Sequence, residues 1–321
     1  MNPIVTIIIT CYNSEKYIHQ NVMSVLQQTY GQLEVIVVND GSTDQSRTIL
    51  EAFNDPRLRI IHQENHGCNH ARNEGYKLSQ GDYLMFLDSD DLLHPSKIEE
   101  QVRIVEKQTT DALISGAWLS FETSVEETTF SQNPLFRNFN DPIEYILTAW
   151  KTNSMIQPGV WLISRKLMQH AGLWNEELRS DDDGDFIIRL LCKASCVLYS
   201  EKSILYYRAK HAGSQSAQSS AKHMNSRYKA AVLQTQFLLQ HEHSTRTRKV
   251  VADRWMFRAY ELMLYSVPLG RKARSNSMRF GHSTVILPET KIVRILKNII
   301  GLTYARRIQG LSYQIKKTWR K

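Results

Sequence analysis

Residues 82–95 read DYLMFLDSDDLLHP. An apolar run, Tyr83 to Leu87, is followed at once by the carboxylates Asp88, Asp90 and Asp91. Like charges this close repel by about 1 kcal/mol per pair at ~4 Å even in water. A buried strand that ends in such a knot calls for a positive partner. It also marks a particular place in a fold. In open parallel α/β sheets, ligands bind in the crevice beyond the carboxyl ends of the strands.

Working outward, the first 120 residues alternate between two periods. PIVTIIIT (3–10), LEVIVVND (33–40), LRIIHQ (58–63), DYLMFLD (82–88) and ALISGAWLSF (112–121) are short, β-branched or aromatic runs. They read as strands buried on both faces, as in parallel sheets. The segments between them are helical in pattern. SEKYIHQNVMSVLQQ has Ser14 as its expected N-cap and Tyr17, Ile18, Val22, Val25 and Leu26 on one stripe. PSKIEEQVRIVEKQ carries Pro95 in its first turn. This β-α-β-α order predicts a doubly wound, mostly parallel sheet with flanking helices. Further on, DPIEYILTAW and DGDFIIRLLCK read as helices, and GVWLISR, VLYS and ILYYR as short strands. From Ser220 the pattern is helical, so an α/β domain over 1–218 and a helical C-terminal region over 219–321 are expected.

Composition narrows the class. With 42% hydrophobic and 22% charged residues, the chain is of ordinary globular type and can bury a full core. Cys11, Cys68, Cys192 and Cys196 show no paired zinc spacing, which predicts a reducing compartment and neither disulfides nor zinc. MNPIVTIIIT lacks a basic-then-apolar leader, and no apolar run approaches the ~20 residues of a spanning helix. The expected location is the cytoplasm, with peripheral attachment to the cytoplasmic membrane face as an extension. Charge is uneven: from Arg246 onward there are 18 Lys and Arg against 3 Asp and Glu, a net of +15. KIVRILKNIIGLTYARRI there places Ile292, Ile295, Leu296, Ile299 and Ile300 opposite Lys291, Arg294, Lys297 and Asn298. Such a basic amphipathic helix suits an anionic membrane surface, acceptor contacts or oligomer contacts. The acidic remainder and the lack of any reading motif argue against nucleic acid.

Three predicted strand ends are polar: Thr10-Cys11-Tyr12-Asn13, Asn39-Asp40-Gly41-Ser42 and Asp88-Ser89-Asp90-Asp91. One alone reads as a turn; three in one sheet read as a site. Neither the G-x-G-x-x-G nor the G-x-x-x-x-G-K-[ST] phosphate cradle is present. Asp88 and Asp90 offer another means of holding a diphosphate, because hard oxygen ligands recruit Mg²⁺ or Mn²⁺ together with substrate phosphates. Arg72, in NHARNEG, reads either as a fixed charge near those phosphates or the base, or as a surface helix arginine.

VTIIITCYNSEKYI, VIVVNDGSTDQS, HARNEGYKLSQGDYLMFLDSDDLLHP and AGLWNEELRSDDDGDFIIRL, in this order, resemble glycosyltransferase family 2, inverting enzymes of the GT-A fold. The resemblance covers about residues 4–216. It implies that Thr10 and Tyr12 line the nucleobase, Asp40 contacts it, and Arg72 is the family's Ala-Arg-Asn arginine. It further implies that Asp88 lies nearer the ribose and Asp90 ligates Mn²⁺ or Mg²⁺. Members usually carry Glu-Asp, then Arg, beside the acceptor. Aligning Arg189 and Asp185 puts Asp182 at the glutamate and Asp183, the expected base, at the aspartate; Asp182 is the alternative. The resemblance also implies that His211, in YRAKHAGSQS, falls at a position that can complete the metal or diphosphate site.

The resemblance implies a single displacement from a nucleoside-diphosphate sugar, a UDP-sugar foremost, with Asp183 taking the acceptor proton. Packing of Asp181, Asp182, Asp183 and Asp185 is expected to strengthen that base by mutual repulsion. The acceptor would be a saccharide or lipid-linked hydroxyl, in cell-surface polysaccharide or glycolipid synthesis. Two other classes stand beside this one. A nucleotide-sugar-binding protein without catalysis would keep Asp40 and the metal site, and the missing glutamate at 182 favours it. A sugar nucleotidyltransferase would need a Gly-x-Gly-Thr-Arg start that the chain lacks.

Overall fold

The computed structural model describes residues 2–107, 111–154, 156–209, 220–287, 290, 293, 301 and 304–310. The chain divides into two compact units. The first comprises Met1–Ala149, Met155–Glu176 and Asp182–Ser214; the second comprises Trp150–Ser154, Glu177–Asp181 and Gln215–Lys321.

In the first unit, β1 (Val5–Cys11), β2 (Leu33–Asp40), β3 (Leu58–Gln63) and β4 (Tyr83–Asp88) form the expected parallel sheet. With the two-residue β7 (Ile163–Ser164), antiparallel to β4, the order is β3-β2-β1-β4-β7. The unbroken Val and Ile runs of β1 and β2 are fully buried because helices cover both faces of the sheet. β3, at the sheet edge, differs: Arg59 and His62 are exposed and Leu58, Ile60 and Ile61 only partly buried, so it is not buried on both faces. The covering helices are α1 (Ile18–Leu26), α2 (Ser46–Glu51), α3 (Cys68–Leu78) and α4 (Lys97–Val105). Gly75 lets α3 lie flat on the sheet, since a Cβ there would sit 2.4 Å from Ile8 Cγ2.

Register decides what meets at the sheet's carboxyl edge. Thr10 pairs with Val38 on one side and Asp88 on the other, and Cys11 pairs with Asn39. The three polar strand ends therefore finish at one level.

The fifth predicted strand belongs elsewhere. β6 (Leu113–Phe121) pairs in parallel with β8 (Val197–Arg208), which pairs on its other side with the antiparallel β5 (Leu92–Leu93), in a second sheet of order β5-β8-β6. VLYS and ILYYR, read as two strands, are one: β8 runs through the polar Glu201-Lys202-Ser203, and the register shifts at Gly116/Ala117 to accommodate them. GVWLISR is only partly extended, with a 3-10 turn at Pro158–Val160 before β7. α5 (Pro142–Thr152), α6 (Arg165–Ala171) and α7 (Asp182–Leu191) complete this part of the chain. Ser14 does not cap α1. That helix starts at Ile18, and the Ser14 hydroxyl meets the Tyr12 carbonyl and Ser89 Oγ.

The second unit is helical: α8 (Ala221–His241), α9 (Thr245–Leu262) and α10 (Val267–Phe280). Ser244 and Ser266 cap α9 and α10 by accepting from the backbone N–H of Thr247 and Leu269. Buried Arg258 pairs with Asp181 and, at 2.6 Å, with Glu261. The predicted basic face at Lys291, Arg294, Lys297 and Asn298, and its partner Ile292, Ile295, Leu296, Ile299 and Ile300, lie outside the described residues. Among those described, no helix is long and apolar enough to cross a membrane.

Candidate active site

At the end of β2, Asp40 is 3% exposed and its carboxylate is engaged by the loop before α3. Oδ1 accepts from Gln63 Nε2 (2.7 Å) and the His66 N–H (2.9 Å), and Oδ2 accepts from the Gly67 N–H (2.8 Å). Gly67, at φ +98, supplies a backbone conformation that L side chains rarely adopt. Asp40 thus fixes the entry to α3. At the end of β1, Thr10 is nearly buried, its hydroxyl 3.3 Å from Cys68 Sγ, whereas Tyr12 is 49% exposed. Asn13, left-handed at φ +49, links this turn to the next strand end by accepting from the Thr43 N–H at 2.8 Å.

The turn after β4 is held from beneath. Asn21 Nδ2 donates to the carbonyls of Asp88 (2.9 Å) and Asp91 (2.7 Å). Arg208, at the end of β8, donates its N–H to Asp91 Oδ1 and its Nε to the Asp90 carbonyl, both at 3.0 Å. Its guanidinium lies between the Tyr17 and Phe121 rings, at 4.7 and 4.3 Å. Burial, and then Asp90 and Asp88, push the Asp91 carboxyl well above the usual range, against the pull of Arg208. Asp91 is a structural member of the knot, 1% exposed, while Asp88 is one-third exposed.

The positive partner sought in the sequence is supplied in part by the chain itself. Arg72 is only 4% exposed, so its surface-arginine reading is overturned. Its Nη2 donates to Asp88 Oδ1 at 2.8 Å, and its Nη1 lies 3.2 Å from Asn69 Oδ1, Asp182 Oδ2 and Asp183 Oδ1. The guanidinium stacks 4.0 Å from the Trp174 ring, which in turn stacks on Phe186 at 4.0 Å and 17°. Burial works against this charge, but its neighbours Cys68, Asp183, Asp88 and Asp182 more than offset that and hold Arg72 well above its ordinary value. The carboxylates supply the attraction, because burial pushes the Cys68 thiol up to about 12 and leaves it neutral at pH 7. Of the four neighbouring aspartates expected to repel one another, Asp182 and Asp183 share this cation. Asp182 and Asp183 also stand in the first turn of α7, where the helix dipole favours them. Asp185 turns away to a buried pair with Arg189 at 3.1 Å.

Sequence reasoning missed the parts that hold Arg72. Asn73 Nδ2 donates to the Trp174 carbonyl (3.0 Å) and to Glu176 Oε1 (2.7 Å), and its Oδ1 accepts from the Trp174 N–H (2.9 Å). Asn69 Nδ2 donates to the Asn175 carbonyl at 3.0 Å. The spacing of Asn69, Arg72 and Asn73, three and four apart on one helix face, was the available signal.

Among the described residues no three His, Cys, Asp or Glu side chains form a metal cage. Mg²⁺ needs fewer, since one or two carboxylates plus substrate phosphates suffice. Asp90, with the partly exposed Asp88 beside it, has the hard-oxygen chemistry that fits such an ion. His211 lies outside the described residues.

A parallel sheet whose carboxyl edge gathers these aspartates, with a second small sheet beside it, is the GT-A architecture. The architecture is that of Staphylococcus aureus TarS 1–349, solved in complex with UDP-GlcNAc, with a TM-score of 0.68 at 18% identity over 86% of this chain and 89% of that one. Residues 6–172 match glycosyl transferase family 2, and the chain belongs to that family. It is 31% identical over 217 residues to glycosyltransferase GlyG of Streptococcus pneumoniae, covering 65% of this chain and 71% of that one. It is also 31% identical over 207 residues to the uncharacterized glycosyltransferase RT0329 of Rickettsia typhi, covering 64% of each. The match spans 38% of a Rickettsia felis relative, so the chain corresponds to under two thirds of some of these proteins.

Proposed function

We propose that the chain is a metal-dependent inverting glycosyltransferase. It moves a sugar from a nucleoside-diphosphate sugar, a UDP-sugar foremost, to a hydroxyl of a saccharide or lipid-linked acceptor. Cell-surface polysaccharide or glycolipid synthesis is the setting that fits. The observation that carries this is the grouping of Asp88, Asp182 and Asp183 around one buried guanidinium. Donor-side and acceptor-side carboxylates then share one rigid support.

Tyr12 presents an aromatic face for the base, with Thr10 and Asp40 at the same sheet edge and Asp88 toward the ribose. Asp183, the more exposed of the two carboxylates that meet Arg72 on α7 (36% against 17%), takes the proton of the acceptor hydroxyl as that oxygen attacks the anomeric carbon. Attack comes from the face opposite the leaving diphosphate, so configuration inverts. Arg72 is a positioning residue: with four acceptors and an aromatic face already engaged, it holds Asp183 and Asp88 in place. Asp90, with Asp88 beside it, would hold Mn²⁺ or Mg²⁺, whose bound form supplies charge neutralisation on the departing diphosphate.

Asp183→Asn tests the assignment. It should abolish sugar transfer while leaving metal-dependent UDP binding within about threefold of wild type. Full transfer activity in Asp183→Asn, and its loss in Asp182→Asn, would move the base one residue. The non-catalytic alternative, favoured by the aspartate at 182 where the family has glutamate, predicts nucleotide binding with no donor turnover in any variant, wild type included.

A further inference from the structure

We propose that the helical second unit positions the candidate base. Helices α8 and α9 clasp residues 179–181, the segment that runs directly into Asp182 and Asp183, with Ser226 and Arg258 as its positioning residues. The role in turnover rests on the reading of Asp183 as the base; the clasp itself does not.

The segment Glu177–Asp181 belongs with the helices, in the second unit. Connecting segments normally lie on the surface with their backbone groups in water. Here side chains from two helices take up those groups instead. Ser226 Oγ, on α8, accepts from the N–H groups of Arg179 (2.8 Å) and Ser180 (3.1 Å), and donates to the Ser180 carbonyl (3.1 Å). Two acceptances and one donation are the full capacity of a hydroxyl. Further along α8, Gln234 Nε2 donates to the Asp181 carbonyl at 3.3 Å, and Arg227 Nε donates to the Ser180 hydroxyl at 3.0 Å. From α9, Arg258 pairs with the Asp181 carboxylate. Glu261 ties the two arginines together, accepting from Arg258 Nη1 and Arg227 Nη1, both at 2.6 Å. Ser226, Gln234 and Arg258 are all buried.

The backbone of Asp181 is the second sign of a clasp. Its φ is +61, in the left-handed region, whereas the residue ahead of a helix ordinarily takes extended dihedrals. Such a conformation persists where the surroundings over-determine it, and such residues gather at functional sites. The ion pair from α9 and the carbonyl bond from α8 supply that restraint.

Position gives the clasp its role. Asp181 falls in the second unit and Asp182 in the first, so one peptide bond carries the restraint onward. Helix α7 opens at Asp182, and Asp183 is its second residue. The first N–H groups of a helix have no partner within it, so the winding of that turn depends on what holds the residues before it. Arg72 holds the Asp183 carboxylate; the clasp fixes the backbone that leads to it.

The test follows UDP release by the full chain from UDP-hexoses and UDP-N-acetylhexosamines, to water and to methyl glycosides, beside metal-dependent UDP affinity. Ser226→Ala and Arg258→Gln should each lower kcat about tenfold or more, with donor KM and UDP affinity within about twofold of wild type. Ser277→Ala removes a buried hydroxyl of the same unit, 2.7 Å from the Ala252 carbonyl, and should leave kcat unchanged. Asp181→Asn keeps an acceptor for Arg258 and tolerates the left-handed backbone, so it should retain most turnover; Asp181→Val does neither and should lose it. Wild-type kcat in Ser226→Ala, or an equal fall in Ser277→Ala, overturns the proposal; this pair decides even if Arg258→Gln does not fold. Loss of turnover in Asp181→Asn as complete as in Asp183→Asn overturns it too, because Asp181 would then act in the chemistry itself. If wild type binds UDP with metal but releases none from any donor, the transferase reading falls and amide exchange over residues 180–190 decides the clasp. Faster exchange in Ser226→Ala than in Ser277→Ala supports it, and equal exchange overturns it.

Discussion

Arg72 Nη1 stands 3.2 Å from Asp183 Oδ1, joining two residues 111 positions apart in the chain. The contact ties the helix after β3 to the first turn of α7, and through Asp88 to the end of β4. One side chain thereby ties the carboxyl edge of the sheet to the candidate base.

Removing that side chain leaves three carboxylates facing one another. Breaking a buried pair costs about 3–5 kcal/mol, and the partial exposure of these partners reduces this to about 2–3. Arg72→Ala should lose that much in denaturant unfolding and at least 100-fold in transfer. Arg72→Lys keeps the charge but not the planar fork, so it should recover most of the stability and little of the turnover. Turnover near wild type in Arg72→Lys would show that charge alone matters.

Asn73 makes the complementary contact. Its three hydrogen bonds to Trp174 and Glu176 hold the ring against which Arg72 stacks. At about 1 kcal/mol each, Asn73→Ala should cost about 2–4 kcal/mol and lower kcat more than it raises the donor KM. Unchanged unfolding midpoints would contradict the clamp.

The central strands were legible because long β-branched runs buried on both faces leave no competing period. The strand ends were legible because polar residues cluster where a strand must stop. Arg72 was singled out, but its contacts were not legible: it sits in a polar helix, and its partners Trp174, Asp182 and Asp183 come from a segment a hundred residues away. Arg208 and Asn21, which hold the turn at Asp88–Asp91, were missed for the same reason. Ser14 misled because its hydroxyl had a better partner in Ser89, close only in space. The continuity of β8 was hidden by Glu201-Lys202-Ser203, which a β-irregularity opposite Gly116 absorbs.

Lys97, on α4, is another buried charge-bearing group with no pattern to announce it. It is 0% exposed, donates to Ser203 Oγ at 3.1 Å, and faces the Val160 carbonyl at 3.4 Å. Burial lowers its pKa from 10.5 to about 7. The unfolded chain keeps this proton up to the higher value, so the unfolded state binds more protons between about pH 7 and 10.5, and stability rises with pH across that window. Lys97→Met should abolish this slope and add on the order of 3–4 kcal/mol at pH 7. The Val160 carbonyl keeps its bond from Gln101 Nε2 at 2.8 Å. Parallel pH–stability curves for the two proteins would mean that Lys97 titrates normally.

The most direct test of the central claim is calorimetric titration of UDP, dTDP and GDP into wild type and Asp90→Ala, with Mn²⁺, with Mg²⁺ and with chelator. One nucleotide, UDP foremost, should bind only with metal and lose at least tenfold in Asp90→Ala. If none of the three binds wild type with either metal, the carboxylates beyond β4 do not form a nucleotide-sugar site and the proposed transferase mechanism is wrong.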